Sequence, residues 1–455
     1  MSTSAAASPE LRHWPAPAAA GPVNATVQVP GSKSLTNRYL LLASVAGSPS
    51  RLRSPLHSRD SQLMVAALKQ LGASIEEVPG EGRFGPDLLV TPAAFTGDND
   101  DGGAPEGSAR SVDCGLAGTV MRFVPPVAAL LAADTRFDGD PQARKRPMGA
   151  IVEALRGLGV PVDDGGSGSL PFTVHGSGSV EGGSLTIDAS ASSQFVSALL
   201  LAAPRFRQGL ELRHSGPAVP SLPHVEMTVQ VLRGLGVDVD DSEPDCWKVR
   251  PGTIAGFDVD IEPDLSNAGP FLAAAVATAG TVSVPNWPET TTQGGDHWRH
   301  ILTALGADVR YEDNTLQVTG GASVNGVDLD LSEAGELAPT VAALSALATG
   351  PSRLRGIGHL RGHETDRLAA LVTEINRLGG DAAETSDGIT VTPAPLHGGV
   401  FHSYDDHRMA TAGAIIGLLV DGVEVENIGT TAKTMPEFAQ LWQQMLAAKD
   451  HTGGA

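Results

Sequence analysis

At 455 residues the chain is longer than one hydrophobic core usually serves and reads as two domains. Hydrophobic residues at 41% and charged residues at 18% argue against a disordered chain, and the longest apolar run, residues 271–279, is about half of a bilayer span. A formal charge of −21 argues against nucleic acid and anionic membranes as partners, and only two cysteines, Cys114 and Cys246, argue against a disulfide framework and CxxC-type zinc.

In chain order, the first twenty or so residues are rich in Ala, Ser and Pro and carry neither a signal-peptide nor a transit-peptide pattern, so they read as a disordered tail. Two phrases then alternate. One is an amphipathic stretch, then Leu-Gly, then a β-branched run: AALKQLGASI ending at Ile75, IVEALRGLGVPV at 151–162, VQVLRGLGVDV at 229–239, ILTALGADV at 301–309 and, more loosely, LVTEINRLGGDA at 371–382. Each predicts a helix with a glycine C-cap turning into a strand. The other phrase is a small or polar opening into an apolar, Ala-rich stretch, beginning near Ser34, Gly118, Ser193, Asn267, Pro339 and His407. These predict helices buried on all sides. The spacing, roughly 70–85 residues, gives six repeat units that split three and three, with a seam at residues 259–264. The polar, Gly-rich stretches at 97–108 and 163–168 read as surface loops.

The starts of the buried helices carry the chemistry. A helix N-terminus offers free N–H groups and partial positive charge, so it favours anions, which an acidic chain otherwise repels. Lys33, Ser34 and Arg38 stand in PGSKSLTNR at 30–38, which lacks Walker spacing. Gly118 opens a turn in LAGTVMR at 116–122, and Arg146 lies in the densest basic cluster, residues 144–147. Ser192, Ser193 and Gln194 make a hydroxyl-rich helix start, and Glu336 precedes the fifth buried helix. HETDR at 363–367, YDDHR at 404–408 and TAKT at 431–434 follow. His359 and His363 are four apart beside Glu364, but the HExxH order is absent and Gly362 intervenes, which reads against zinc. Gly356, Gly358 and Gly362 miss the dinucleotide-binding spacing.

Together the strings GSKSxxxR, AGTxxR, RPxG, SSQF, ETDR, DHR and TAKT resemble, in order and spacing, those of the 5-enolpyruvylshikimate-3-phosphate synthases, from about residue 27 to about residue 445. The resemblance implies an α/β fold: a two-domain inside-out α/β barrel, each domain of three βαβαββ-type units around buried helices. It places residues 1–32, the tail and first strand, with the C-terminal-half domain. Residues 33–260 then form the upper domain and 261–455 the lower. The implied activity is transfer of the enolpyruvyl group of phosphoenolpyruvate to shikimate 3-phosphate, with neither metal nor organic cofactor, by a cytoplasmic monomer. Residues matching phosphoenolpyruvate contacts are Lys33, Gly118, Arg146, Gln194, Arg367, Arg408 and Lys433. Those matching shikimate 3-phosphate contacts are Lys33, Ser34, Arg38, Ser192, Ser193, Gln194, Ser221, Glu336 and His363. By the same likeness Glu336 is the base for the attacking hydroxyl, and Glu364 or Lys33 the proton donor to C3. Family members with glycine at the Gly118 position are sensitive to glyphosate.

Four positions depart from the commonest family pattern: Leu116 for Asn, Glu336 for Asp, His363 for Lys and His224 for Tyr. The His363 change touches a role most directly, because histidine can be neutral where lysine is charged. Two rival readings are an enolpyruvyl transferase acting on a nucleotide sugar and a six-unit scaffold without catalysis. The first expects a KNA-like lysine motif and a loop cysteine. The second has no use for Lys33, Arg146, Arg367, Arg408 and Lys433 together.

Overall fold

The computed structural model describes residues 13–94 and 109–448. The Gly-rich stretch at 97–108 and the first twelve residues of the expected tail lie outside the described residues.

Six apolar helices form where the Ala-rich phrases stand: Lys33–Ser44, Gly118–Ala128, Gln194–Ala202, Leu265–Thr278, Ala338–Ala346 and His407–Gly417. In Ala338–Ala346 every side chain is buried, as expected of a helix with no polar face. Five amphipathic helices cover the other phrase: Arg59–Gln70, Gly149–Gly157, Pro223–Gly234, Trp298–Ala304 and Arg367–Arg377. Each ends on a leucine followed by a glycine in the left-handed region, Gly72, Gly159, Gly236, Gly306 and Gly379, with φ from +79° to +108°. An L-residue there costs about 1–2 kcal/mol, which is why the Leu-Gly pair recurs.

Among the described residues five four-stranded sheets repeat one pairing scheme, and a sixth, of three strands, has one parallel and one antiparallel pair. In the sheet of Arg110–Asp113, Asp134–Asp138, Phe172–His175 and Val162–Asp163, the first pair is parallel and the next two are antiparallel. Three sheets draw all their strands from one stretch of chain; the other three take one from far away. Asp258–Asp260 pairs parallel with Ser50–Arg53, and Asn24–Thr26 pairs parallel with Thr281–Pro285. His13–Pro15 pairs antiparallel with Val423–Glu426, setting Trp14 opposite Val425. The tail reading is therefore corrected from His13 onward: Trp14 is buried, and its apolar area is enough to tie down a strand in an otherwise Ala/Pro-rich stretch.

The chain divides into two compact units. One comprises Pro30–Asp264 and the short segment Thr290–Gly294. That segment belongs here because Thr291 Oγ1 and Gln293 Nε2 donate to Glu262 Oε2 at 2.7 and 2.8 Å. The core of this unit runs continuously from Leu35 to Ile261. The other unit comprises the residues through Val29, Leu265–Glu289 and those from Gly295 onward. Among the described residues no helix is long and apolar enough to cross a membrane.

Candidate active site

In the Pro30–Asp264 unit, Ser32 caps the first buried helix, its Oγ accepting the Leu35 N–H at 3.4 Å. Lys33 follows; its N–H donates to Asp264 Oδ2 (3.1 Å), and its ammonium lies 3.4 Å from Asp60 Oδ2. Asp60 is buried in the first turn of Arg59–Gln70, behind a capping box made by Ser58 and Ser61. Arg38 sits deeper. It donates through Nε to Thr228 Oγ1 (2.8 Å), through Nη1 to the Ser34 carbonyl (3.0 Å) and through Nη2 to the His224 carbonyl (2.8 Å), with Phe123 beneath it. Burial pulls its pKa down to about 9. Arg38 thus ties three helices together from within, and its grip on the Ser34 and His224 carbonyls fixes two helix starts. Ser221 holds φ of +52°, and its carbonyl accepts the His224 N–H at the start of Pro223–Gly234.

Gly118, Arg146 and Gln194 converge in the same unit. A methyl group on Gly118 would lie 3.0 Å from Arg146 Nη2 and 3.2 Å from Gln194 Oε1, so a side chain there would crowd both. Ser192 Oγ accepts the Gln194 N–H at 3.3 Å, and Ser193 is buried beside it. Arg122 completes the group: buried over the Phe195 ring, it donates through Nη1 to Gln194 Oε1 at 2.7 Å. Among the described residues its buried Nε has no hydrogen-bond partner. Burial first, and then the charge of Arg146, pull the Arg122 pKa well below the usual guanidinium range. Two like charges held together, Arg122 buried and Arg146 half-buried, are relieved by an anion, the converse of the cost of leaving a buried charge uncompensated.

In the other unit the centre is Glu364. Its Oε1 meets the Lys433 ammonium at 2.5 Å and its Oε2 meets His407 Nδ1 at 3.1 Å. Burial alone would raise its pKa, but Lys433, His407 and Arg367 together hold the carboxyl well below the usual range. Arg367 is buried and bidentate on Asp406, Nε to Oδ2 at 2.7 Å and Nη2 to Oδ1 at 3.1 Å. Burial works against its charge, yet Asp406 and Glu364 push its pKa up. Asp406 also caps His407–Gly417 by accepting the Arg408 N–H at 2.9 Å. Arg408 lines a crevice with Asn267, Thr411, Thr431 and Thr434.

Glu336 stands in the 3-10 turn Gly335–Leu337 that leads into Ala338–Ala346, and accepts from Ser266 Oγ at 3.3 Å. His359 packs against Gly335, where a methyl group would lie 2.7 Å from its Nε2, and its ring centroid is 5.8 Å from that of His363. His363 Nδ1 lies 3.4 Å from Arg367 Nη1. A guanidinium only donates, so a hydrogen bond here requires this nitrogen to accept. Glu364, Asp406 and His407 bring three potential metal-ligand atoms within 4.8 Å of one another. Their counter-charge comes instead from Lys433 and Arg367, which already occupy the carboxylate oxygens.

Of the residues singled out in the sequence, Gly118, Arg146 and Gln194 form one group, and Glu364, Arg367 and Lys433 form another, with Glu336 and His363 beside Arg367. Asp60, Arg122, Asp406, His407 and His359 belong with them and were not among the expected contacts. Arg122 and the Asp406–His407 pair sit inside the AGTxxR and DHR strings. Asp60 had only the weak signal of a capping box.

The sequence model of a family described as EPSP synthase (3-phosphoshikimate 1-carboxyvinyltransferase) matches residues 17–442. A protein of Kocuria rhizophila named 3-phosphoshikimate 1-carboxyvinyltransferase is 64% identical over 438 residues, covering 96% of this chain and 97% of its own. Two solved structures of EPSP synthase from Acinetobacter baumannii match with TM-scores of 0.76 and 0.75 at 23% identity. They cover 95% of this chain and 97% and 98% of theirs, and at that identity they bear on the fold. With a family match over nearly its whole length and a relative this similar, the chain belongs to the EPSP synthase (3-phosphoshikimate 1-carboxyvinyltransferase) family.

Proposed function

We propose that the chain transfers the enolpyruvyl group of phosphoenolpyruvate to the 5-hydroxyl of shikimate 3-phosphate, releasing phosphate, in aromatic amino acid biosynthesis. The observation that carries this reading is the meeting of buried Arg122 with half-buried Arg146, Gln194 and Gly118, a cationic place suited to a small, highly charged anion. Lys33, Gly118, Arg146, Gln194, Arg367, Arg408 and Lys433 serve phosphoenolpyruvate. Ser34, Ser192, Ser193, Ser221, Glu336 and His363 serve shikimate 3-phosphate, and Arg38 sets the helix starts on which several of them stand. Buried free Cys114 and Cys246 suit a reducing, cytoplasmic setting. The working form is a monomer.

In the addition step Glu336 takes the hydroxyl proton as the oxygen attacks C2 of phosphoenolpyruvate, and the C2–C3 π electrons take a proton at C3. In the elimination step C3 loses a proton, the double bond returns and the C2–O bond to phosphate breaks. Lys433 and the arginines balance the charge of the departing phosphate. Glu364 is ionised in its ion pair with Lys433, so it carries a proton only once the substrate phosphate draws Lys433 away. Lys33 is the alternative donor.

Phosphate release with shikimate 3-phosphate, compared with a nucleotide-sugar acceptor, tests the reading directly. Glu336→Gln keeps shape and loses basicity, so calorimetric binding of shikimate 3-phosphate should survive while turnover falls roughly 10²-fold, about 3 kcal/mol. Near-normal turnover removes Glu336 from the mechanism. Glu364→Gln should slow hydrogen-isotope exchange into phosphoenolpyruvate, and undiminished exchange assigns that proton to Lys33.

A further inference from the structure

One fully buried carboxylate has no part in the steps above. Glu374 lies seven residues after Arg367 in the Arg367–Arg377 helix, so the two stand two turns apart on one face. Both reach the same segment, residues 402–406. Arg367 holds its end through Asp406. Glu374 holds its beginning: Oε2 accepts the His402 backbone N–H and Arg377 Nε, both at 3.0 Å, and Oε1 accepts the Tyr404 hydroxyl at 2.6 Å.

The segment so held is strained. Tyr404 and Asp405 both adopt φ of +55°, the region L-residues avoid at about 1–2 kcal/mol each. Such a turn persists only where its surroundings over-determine it. Asp405 is fixed by Asn427 Nδ2, which donates to its Oδ1 at 3.0 Å, and by Thr430 Oγ1, which donates to its carbonyl at 2.8 Å. Tyr404 is fixed by Glu374. Its ring is 40% exposed and meets the His402 ring edge-on at 6.4 Å, so the hydroxyl bond to the buried carboxylate is the polar anchor of this side chain. The next three residues are Asp406, His407 and Arg408, whose directions follow from where the turn ends.

We propose that Glu374 and Tyr404 are a positioning pair for the reaction: they hold the left-handed turn that aims Asp406, and through it Arg367, together with His407 and Arg408. The inference rests on the reading of Arg367 and Arg408 as phosphoenolpyruvate contacts. A clamp that served stability alone would lower the melting temperature and leave the two substrates' KM values in proportion. A positioning pair affects phosphoenolpyruvate selectively.

Tyr404→Phe keeps the ring and removes the bond. Glu374→Gln keeps the arrangement, because an amide oxygen accepts from His402 and Arg377 while its NH2 donates to the Tyr404 oxygen. Steady-state kinetics of Tyr404→Phe should show KM for phosphoenolpyruvate raised about tenfold, with KM for shikimate 3-phosphate within about twofold of the parent, and Glu374→Gln should stay close to the parent. Hydrogen–deuterium exchange of backbone amides at 402–408 should quicken in Tyr404→Phe. An unchanged phosphoenolpyruvate KM, an equal rise in both KM values, or unchanged exchange at 402–408 each overturns the proposal. If the parent protein releases no phosphate from these substrates, the functional reading fails by itself, and exchange at the turn still decides whether the pair holds it.

Discussion

Gly118→Ala is the sharpest probe of the cationic group. The new methyl would stand 3.0 and 3.1 Å from the two terminal nitrogens of Arg146 and 3.2 Å from Gln194 Oε1, where ordinary contact begins near 3.4 Å. Arg146 Nη2 must therefore withdraw by about 0.4 Å (3.4 − 3.0), and Gln194 by about half as much. Both are ends of flexible side chains, so the fold adapts, and alanine in a first helical turn costs nothing in propensity. The ligand bears the effect. Hydrogen bonds to charged groups contribute about 1.5–3 kcal/mol, and weakening one of them by half, about 0.75–1.5 kcal/mol, raises KM for phosphoenolpyruvate roughly 4- to 13-fold. Glyphosate, pressed against the same methyl, should lose more affinity than the substrate, so its inhibition constant rises by the larger factor. Steady-state kinetics with and without glyphosate, beside a thermal melt, measure all three. A phosphoenolpyruvate KM within about twofold of the parent and unaltered inhibition would refute the placing of Gly118 against the anion.

Arg122→Met removes a buried charge beside Arg146 and the bond that orients Gln194; the melting temperature should hold or rise while KM for phosphoenolpyruvate rises about tenfold, and a melt lower by several degrees would count against the charge argument. Acid should destabilise the protein in two stages. Burial depresses the His407 pKa, so below its ordinary 6.5 the unfolded chain binds a proton that the folded one refuses, and stability falls with pH through that window. Glu364, raised by burial but lowered further by Lys433 and His407, adds a second loss below its ordinary 4.5; melts from pH 8 to 3 should show both, and His407→Gln should flatten the first. Gly236→Ala meets no atom of the described residues within 4 Å, yet its φ of +81° should make it cost about 1 kcal/mol by denaturant titration, with turnover unchanged.

Helix identity is legible in this sequence because it is local. A run such as APTVAALSA has no polar face to show water, and each Leu-Gly pair marks a turn only glycine enters cheaply. What the local pattern cannot carry is partnership over distance. Nothing in NAT at 24–26 announces a partner at 281–283, and Trp14 is one large residue in an otherwise tail-like stretch. The site divides the same way. Lys33, Arg146, Arg367 and Lys433 stand out as cations within the recurring polar strings of an acidic chain. Asp60 and Asp406 are acids among 52 acidic residues, and only folding shows that they answer Lys33 and Arg367. Arg38 shows the limit from the other side: its position matches a ligand contact, while its hydrogen bonds are spent largely on the protein's own helices.

The three borrowed strands also impose an order on synthesis. Ser50–Arg53 has its parallel neighbour only after Asp258–Asp260 leaves the ribosome, at a typical 5–20 residues per second some ten to forty seconds later. The Pro30–Asp264 unit can then build nearly all of its core. Asn24–Thr26 and His13–Pro15, made first, wait for Thr281–Pro285 and for Val423–Glu426, so the earliest strands are among the last to be paired. Until then they are unpaired edges, which makes the half-made chain a natural client for a chaperone and the stretch from His13 to Thr26 a poor place for an apolar insertion.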